Sequence, residues 1–130
     1  MIKKLTIVAL LMSLTAMIGC GPSDPHERIM ENMLGCMEEM TEILATVTDK
    51  ATAEAAKPKL EALGTRMEAI NKEMKEVGEP DKDKEEALKT KYEERMKKVM
   101  GGMMKESMRV MMNPEFSAVL KDAMDKMQPR

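Results

Sequence analysis

The sequence predicts an all-α protein, an antiparallel bundle of three long helices and a short fourth. Three observations predict it. Apolar residues recur at alternating spacings of three and four, the signature of one helical face. Capping residues stand ahead of each such run. No segment alternates with the period of two that a half-buried strand requires.

The elements follow in order. "SDPHE" offers Asp24 as N-cap, Pro25 at the first helical position and Glu27 three residues after the cap, so the first helix should span about 25–47. Its apolar stripe is Met30, Met33, Met37, Met40, Leu44 and Val47, which reads as the core face. "TVTDKAT" stops it with β-branched and capping residues. The second helix should span about 52–77, with Thr52 at its start and Ala53, Ala56, Leu60, Leu63, Met67, Ile70, Met74 and Val77 as its stripe. Pro58 should kink that helix or delay its start, and Gly78 with Pro80 should end it. After the charged turn "EPDKDKEE" a third helix should span about 81–112. Its apolar positions Leu88, Tyr92, Met96, Val99, Met103, Ser107 and Val110 repeat every eleven residues. "NPEF" breaks the chain, with Asn113 as cap and Pro114 opening a fourth helix over 114–127. The third helix is the longest and should overhang its neighbours by roughly 10 Å at its methionine-rich end, with the fourth folding back over part of that end.

The N-terminal stretch is of another kind. "MIKK" is basic, and "LTIVALLMSLTAMI" is apolar but short for an ordinary membrane span. "MIGC", residues 17–20, resembles the lipobox of bacterial lipoprotein signal peptides, with Met17 standing where Leu is favoured. The resemblance implies removal of residues 1–19, lipidation of Cys20, a short tether over 20–23 and a single helical domain over 24–130. It also implies a membrane partner through the lipid, because several acyl chains anchor stably where one does not. In a cell with two membranes, Gly21 after the cysteine, where Asp would signal retention, implies the outer membrane facing the periplasm. Gly21, Pro22 and Ser23 reach only about 10–15 Å, so the "EPDKDKEE" turn should face the lipid surface. The competing account is an ordinary secretory signal with Cys20 free to bridge Cys36.

Composition narrows the function classes. Removing Lys3 and Lys4 leaves 19 basic side chains against 23 acidic, a net charge of −4. With that charge, one Tyr, one Phe and no Trp, nucleic acid is not an expected partner, since it asks for a basic surface and stacking rings. His26 is the only histidine and opens the first helix, where a polar role beside the cap is expected and a catalytic one is not. No CxxC, HExxH, phosphate-loop or dinucleotide pattern occurs, and haem lacks a histidine beyond residue 26. No catalytic residue, cofactor or small-molecule substrate is therefore expected. Cys36 reads as a small buried side chain, with an intermolecular disulfide as its alternative.

The remaining signal is "MGGMMKESMRVMM", residues 100–112, within a chain that holds 18 methionines. Its thioethers suit Cu(I), and the stretch resembles the Met-rich segments of periplasmic copper chaperones and resistance proteins, with Met100, Met103, Met104, Met108, Met111 and Met112 as the candidate ligands. The favoured reading takes Met as the apolar residue of core and partner surfaces throughout the chain. On that reading Met96 and Met103 face inward, and Met100, Met104, Met108 and Met111 form a second stripe open to a partner. The mature part resembles small helical lipoproteins, which implies a location and no activity. The expectation is a lipid-anchored interaction or scaffold module that binds a protein partner or itself. A copper(I)-binding module and a purely structural envelope spacer are the alternatives.

Overall fold

The structure, a computed structural model, describes residues 24–127. The signal-like segment 1–19, Cys20 and the tether to residue 23 lie outside the described residues. Four helices follow one another: α1 (Pro25–Ala45), α2 (Lys50–Val77), α3 (Lys82–Met111) and α4 (Pro114–Lys126), with no strand among the described residues.

Local chemistry sets the helix starts. The Asp24 carboxylate accepts the His26 and Glu27 N–H groups at 2.8 and 3.3 Å, ahead of Pro25. α2 begins at Lys50, earlier than the Thr52 start expected, because Asp49 is the cap and Thr52 the third helical residue. Asp49 Oδ1 accepts from Thr52 N–H at 2.8 Å and Thr52 Oγ1 accepts from Asp49 N–H at 2.9 Å, a reciprocal box. Pro58 neither delays nor ends α2, since it lies exposed within an unbroken helix and its missing N–H falls on the solvent side. Gly78, at φ 79°, caps α2 in a conformation that L side chains avoid. Asp81 caps α3 through Lys84 N–H at 2.8 Å, and Asn113 caps α4 through Glu115 N–H at 3.0 Å.

α1 is the central helix, flanked by antiparallel α2 on one side and parallel α3 on the other. α4 runs along the first half of α2 and touches the end of α3, whereas α2 and α3 make no close contact with each other within the described residues. The sealed core is shared by α1, α2 and α4: Ile29, Cys36, Ile43 and Leu44 meet Ala53, Ala56, Leu60 and Leu63, and Phe116, Leu120 and Ala123 close it. Fully burying each Leu or Ile is worth about 1.5–3 kcal/mol relative to exposure.

α3 is attached differently. Of its side chains only Val110 joins that core, while Tyr92 and Val99 are buried outside it. The α1–α3 seam is a ladder of polar contacts. Lys84 pairs with Asp24 at 2.8 Å and Lys91 with Glu27. Arg95 bridges Glu31 at 2.6 Å and Glu38 at 2.8 Å, and Arg109 donates to the Leu44 and Val47 carbonyls at 2.8 Å each. Close approach at the middle is permitted by Gly102, where an added Cβ would stand 3.4 Å from Thr41 Cγ2.

One expectation is corrected and others are sharpened. Of the stripe expected on α1, Leu44 and Val47 are buried, but Met30, Met33, Met37 and Met40 are only half-buried, and Ile29, Leu34, Cys36 and Ile43 fill the core in their place. The reason is that α1 has neighbours on both flanks, which leaves the methionines between them half-buried over the gap. α3 has 30 residues against 28 in α2 and 21 in α1, and Lys84 and Arg109 tie it to Asp24 and to the Leu44 and Val47 carbonyls. α4 covers α2 more than α3, with Lys126 pairing with Glu61 at 3.2 Å and Met127 seated 3.2 Å from the Cβ position of Gly64.

Candidate functional site

Because α2 and α3 stand apart on either side of α1, a groove runs between them with α1 as its floor. At its lower end, beside Asp24, lies an apolar cavity of about 470 Å³. Ile29, Met30 and Met33 form its floor, and Met74, Pro80 and Leu88 form its walls. His26 closes this end, its Nε2 standing 3.1 Å from the Gly78 carbonyl oxygen, and so it ties the start of α1 to the α2–α3 turn. At the upper end, where α4 arrives, a second cavity of about 400 Å³ is lined by Met40, Met67, Met103, Met111, Met124 and Met127, with Ser107, Ser117, Lys121 and Asp125 among its polar neighbours.

The two apolar residue classes are sorted. The largest fully buried side chains are Leu34, Leu44, Leu60, Leu63, Leu120, Val47, Val110 and Cys36, and no methionine of the described residues is buried. Methionine is instead half-buried along the groove and exposed on α3. Met100 is 48% exposed, Met104 62%, Met108 57% and Met111 63%, values too high for side chains that a fourth helix covers. Met111 also lines the mouth of the upper cavity, which joins the outer stripe to the groove.

The structure divides the six methionines that the sequence grouped as copper ligands, with only Met103 and Met111 in the lining of the upper cavity. Met103 is half-buried in the upper cavity, while Met100 and Met104 are exposed and outside its lining. Met96, expected to face inward, is likewise half-buried. Of the favoured reading, methionine as both core and surface residue, the core half narrows: Met33, Met40, Met67, Met124 and Met127 pack against the core from its margin, and the Met100, Met104, Met108 and Met111 stripe is exposed as expected. Sequence spacing alone missed Met40, Met67, Met124 and Met127 as neighbours of Met103. They come from α1, α2 and α4, and no local pattern links them to Met103 on α3. Cys36 is fully buried as a free thiol, which leaves it no access to another chain, and burial pushes its pKa up.

Electrostatics concentrate on the α1–α3 seam rather than in the groove. The Lys84 ammonium, with the Glu27 and His26 N–H groups, holds the Asp24 carboxyl down at about 2. Lys91 and the Tyr92 hydroxyl lower Glu27, Tyr92 and Arg95 lower Glu31, and Arg95 lowers Glu38. The Tyr92 hydroxyl has one proton to give to Glu31 at 2.7 Å or Glu27 at 3.1 Å, and burial together with these carboxylates raises its own pKa. These pairs position α3 and thereby set the width of the groove.

No family model matches the chain, and no curated protein or solved structure is significantly similar to it. No described helix is long and apolar enough to cross a membrane.

Proposed function

We propose that the protein is a lipid-anchored envelope protein whose helical domain binds another protein through its methionine surface. The observation that carries the binding role is the segregation of methionine out of the sealed core and onto the groove and the α3 stripe. Flexible, polarizable methionine side chains repack against partners of differing shape, which is how adaptable binding surfaces are built. A contiguous exposed apolar stripe is otherwise a solubility cost. Support for the anchor comes from "MIGC" and from the short run between Cys20 and the Asp24 cap. The Lys84–Asp24 and His26–Gly78 contacts gather the α2–α3 turn at that same end, which leaves the Met100–Met111 stripe at the far end, directed away from the lipid.

Cross-linked capture from intact envelopes, read by mass spectrometry, tests the reading. Met104→Glu with Met108→Glu should leave the unfolding temperature nearly unchanged, because both side chains are exposed, and should abolish the cross-linked adduct. Cys20→Ser should remove incorporation of a fatty-acid analogue and release the protein from membranes. Adducts that persist in the double variant would place the interface elsewhere, and equal label on the serine variant would remove the anchor.

A further inference from the structure

Six methionines from all four helices line the upper cavity: Met40 of α1, Met67 of α2, Met103 and Met111 of α3, Met124 of α4 and Met127 at its C-cap. A space that merely needed filling would be served by the Leu, Ile, Val and Ala found at the sealed positions of this core, which have less rotamer freedom to lose. Thioether sulfur is neutral, soft and polarizable, and the three rotatable bonds of Met let it swing inward. Neutral soft donors select monovalent d¹⁰ ions such as Cu(I). They offer little to Zn²⁺, Ca²⁺ or Mg²⁺, which ask for imidazole, thiolate or oxygen. Among the described residues no group of three or more His, Cys, Asp and Glu is assembled for such ions.

The geometry points to a Cu(I) site in this cavity, bound by Met40, Met67 and Met103 from the three long helices and covered by Met124 and Met127 from α4. The site does not depend on the protein-partner reading. It also differs from the one suggested by spacing along α3, since only Met103 is common to the two sets. Lys121 and Asp125 both lie among the lining residues and offset each other in charge, so binding rests on sulfur coordination.

The test is anaerobic titration of the full chain, purified in detergent, with Cu(I) against a chromophoric Cu(I) chelator. The wild type should withdraw about one equivalent. Met40→Leu with Met67→Leu and Met103→Leu, a nearly isosteric triple, should weaken uptake at least about tenfold while keeping the helical content. Met100→Leu with Met104→Leu and Met108→Leu should leave it unchanged. X-ray absorption on the loaded wild type, which needs no variant to fold, should show a sulfur shell around copper. The site is overturned by absence of uptake, by equal loss in both triples, by uptake surviving the cavity triple as thiol binding would, or by a nitrogen or oxygen shell.

Discussion

Leu60 is fully sealed in the α1–α2–α4 core, whereas Met67, further along the same helix and on the same predicted stripe, keeps one side on the groove. The two sites should answer mutation differently. Leu60→Ala leaves a cavity as well as losing transfer energy and should cost about 2–5 kcal/mol in urea unfolding. Met67→Leu should cost under about 1.5 kcal/mol. Equal losses would mean that the groove wall belongs to the core. Spacing could not make this distinction at the residue scale, because it scores Met and Leu alike. On α1 it selected Leu44 and Val47, which are buried, together with Met30, Met33, Met37 and Met40, which are only half-buried, and it passed over the buried Ile29, Leu34, Cys36 and Ile43. A stripe between two buried flanks looks the same in sequence as a stripe at the centre of one.

At the scale of the element, α3 is joined to its neighbours mostly by charge. The carboxyls of Asp24, Glu27, Glu31 and Glu38 all sit below their ordinary values in the folded chain. A depressed carboxyl stabilises the fold fully above its unfolded value and loses that contribution as pH falls through the folded one. The window for Asp24 thus runs from its ordinary value of 3.8 down to about 2. In that window α3 should loosen before the core shared by the other helices, and added salt should narrow the window, because screening weakens partly exposed pairs and lets the carboxyls return toward their ordinary values. The near-ultraviolet signal of Tyr92, the only tyrosine, should therefore fall at higher pH than the far-ultraviolet helical signal. Coincident transitions would show that α3 does not separate. Helix count was legible, and the starts of α1 and α4 with it, because capping is local: Asp24 with Pro25 and Asn113 with Pro114 act within their own first turn, while the cap role of Asp81 was hidden in a run of charges. Thr52 was legible as a capping residue but not as the far half of a box opened by Asp49.

On the scale of the whole molecule, what the sequence concealed was which helices meet. Nothing local announced that Arg109 would reach back to the carbonyls closing α1 and tie the end of α3 to that helix. The convergence of methionines from four helices on one cavity depends on α4 turning onto α2, a tertiary fact with no counterpart in any local pattern. The sorting of residue types has a further consequence for chemical damage. Peroxide turns methionine into its sulfoxide, a polar group that disrupts a core when it forms there. Here every described methionine lies outside the sealed core, whose side chains apart from Cys36 are aliphatic or phenyl and inert to mild oxidant. Mild peroxide should therefore convert Met104, Met108, Met111 and Met112 first, with helical content and unfolding temperature little changed. Peptide mapping alongside circular dichroism would follow both, and early loss of helix would contradict it. The protein would keep its shape while its surface changed from greasy to wet, so an oxidising burst would detach whatever that surface holds, and methionine sulfoxide reductases would restore it.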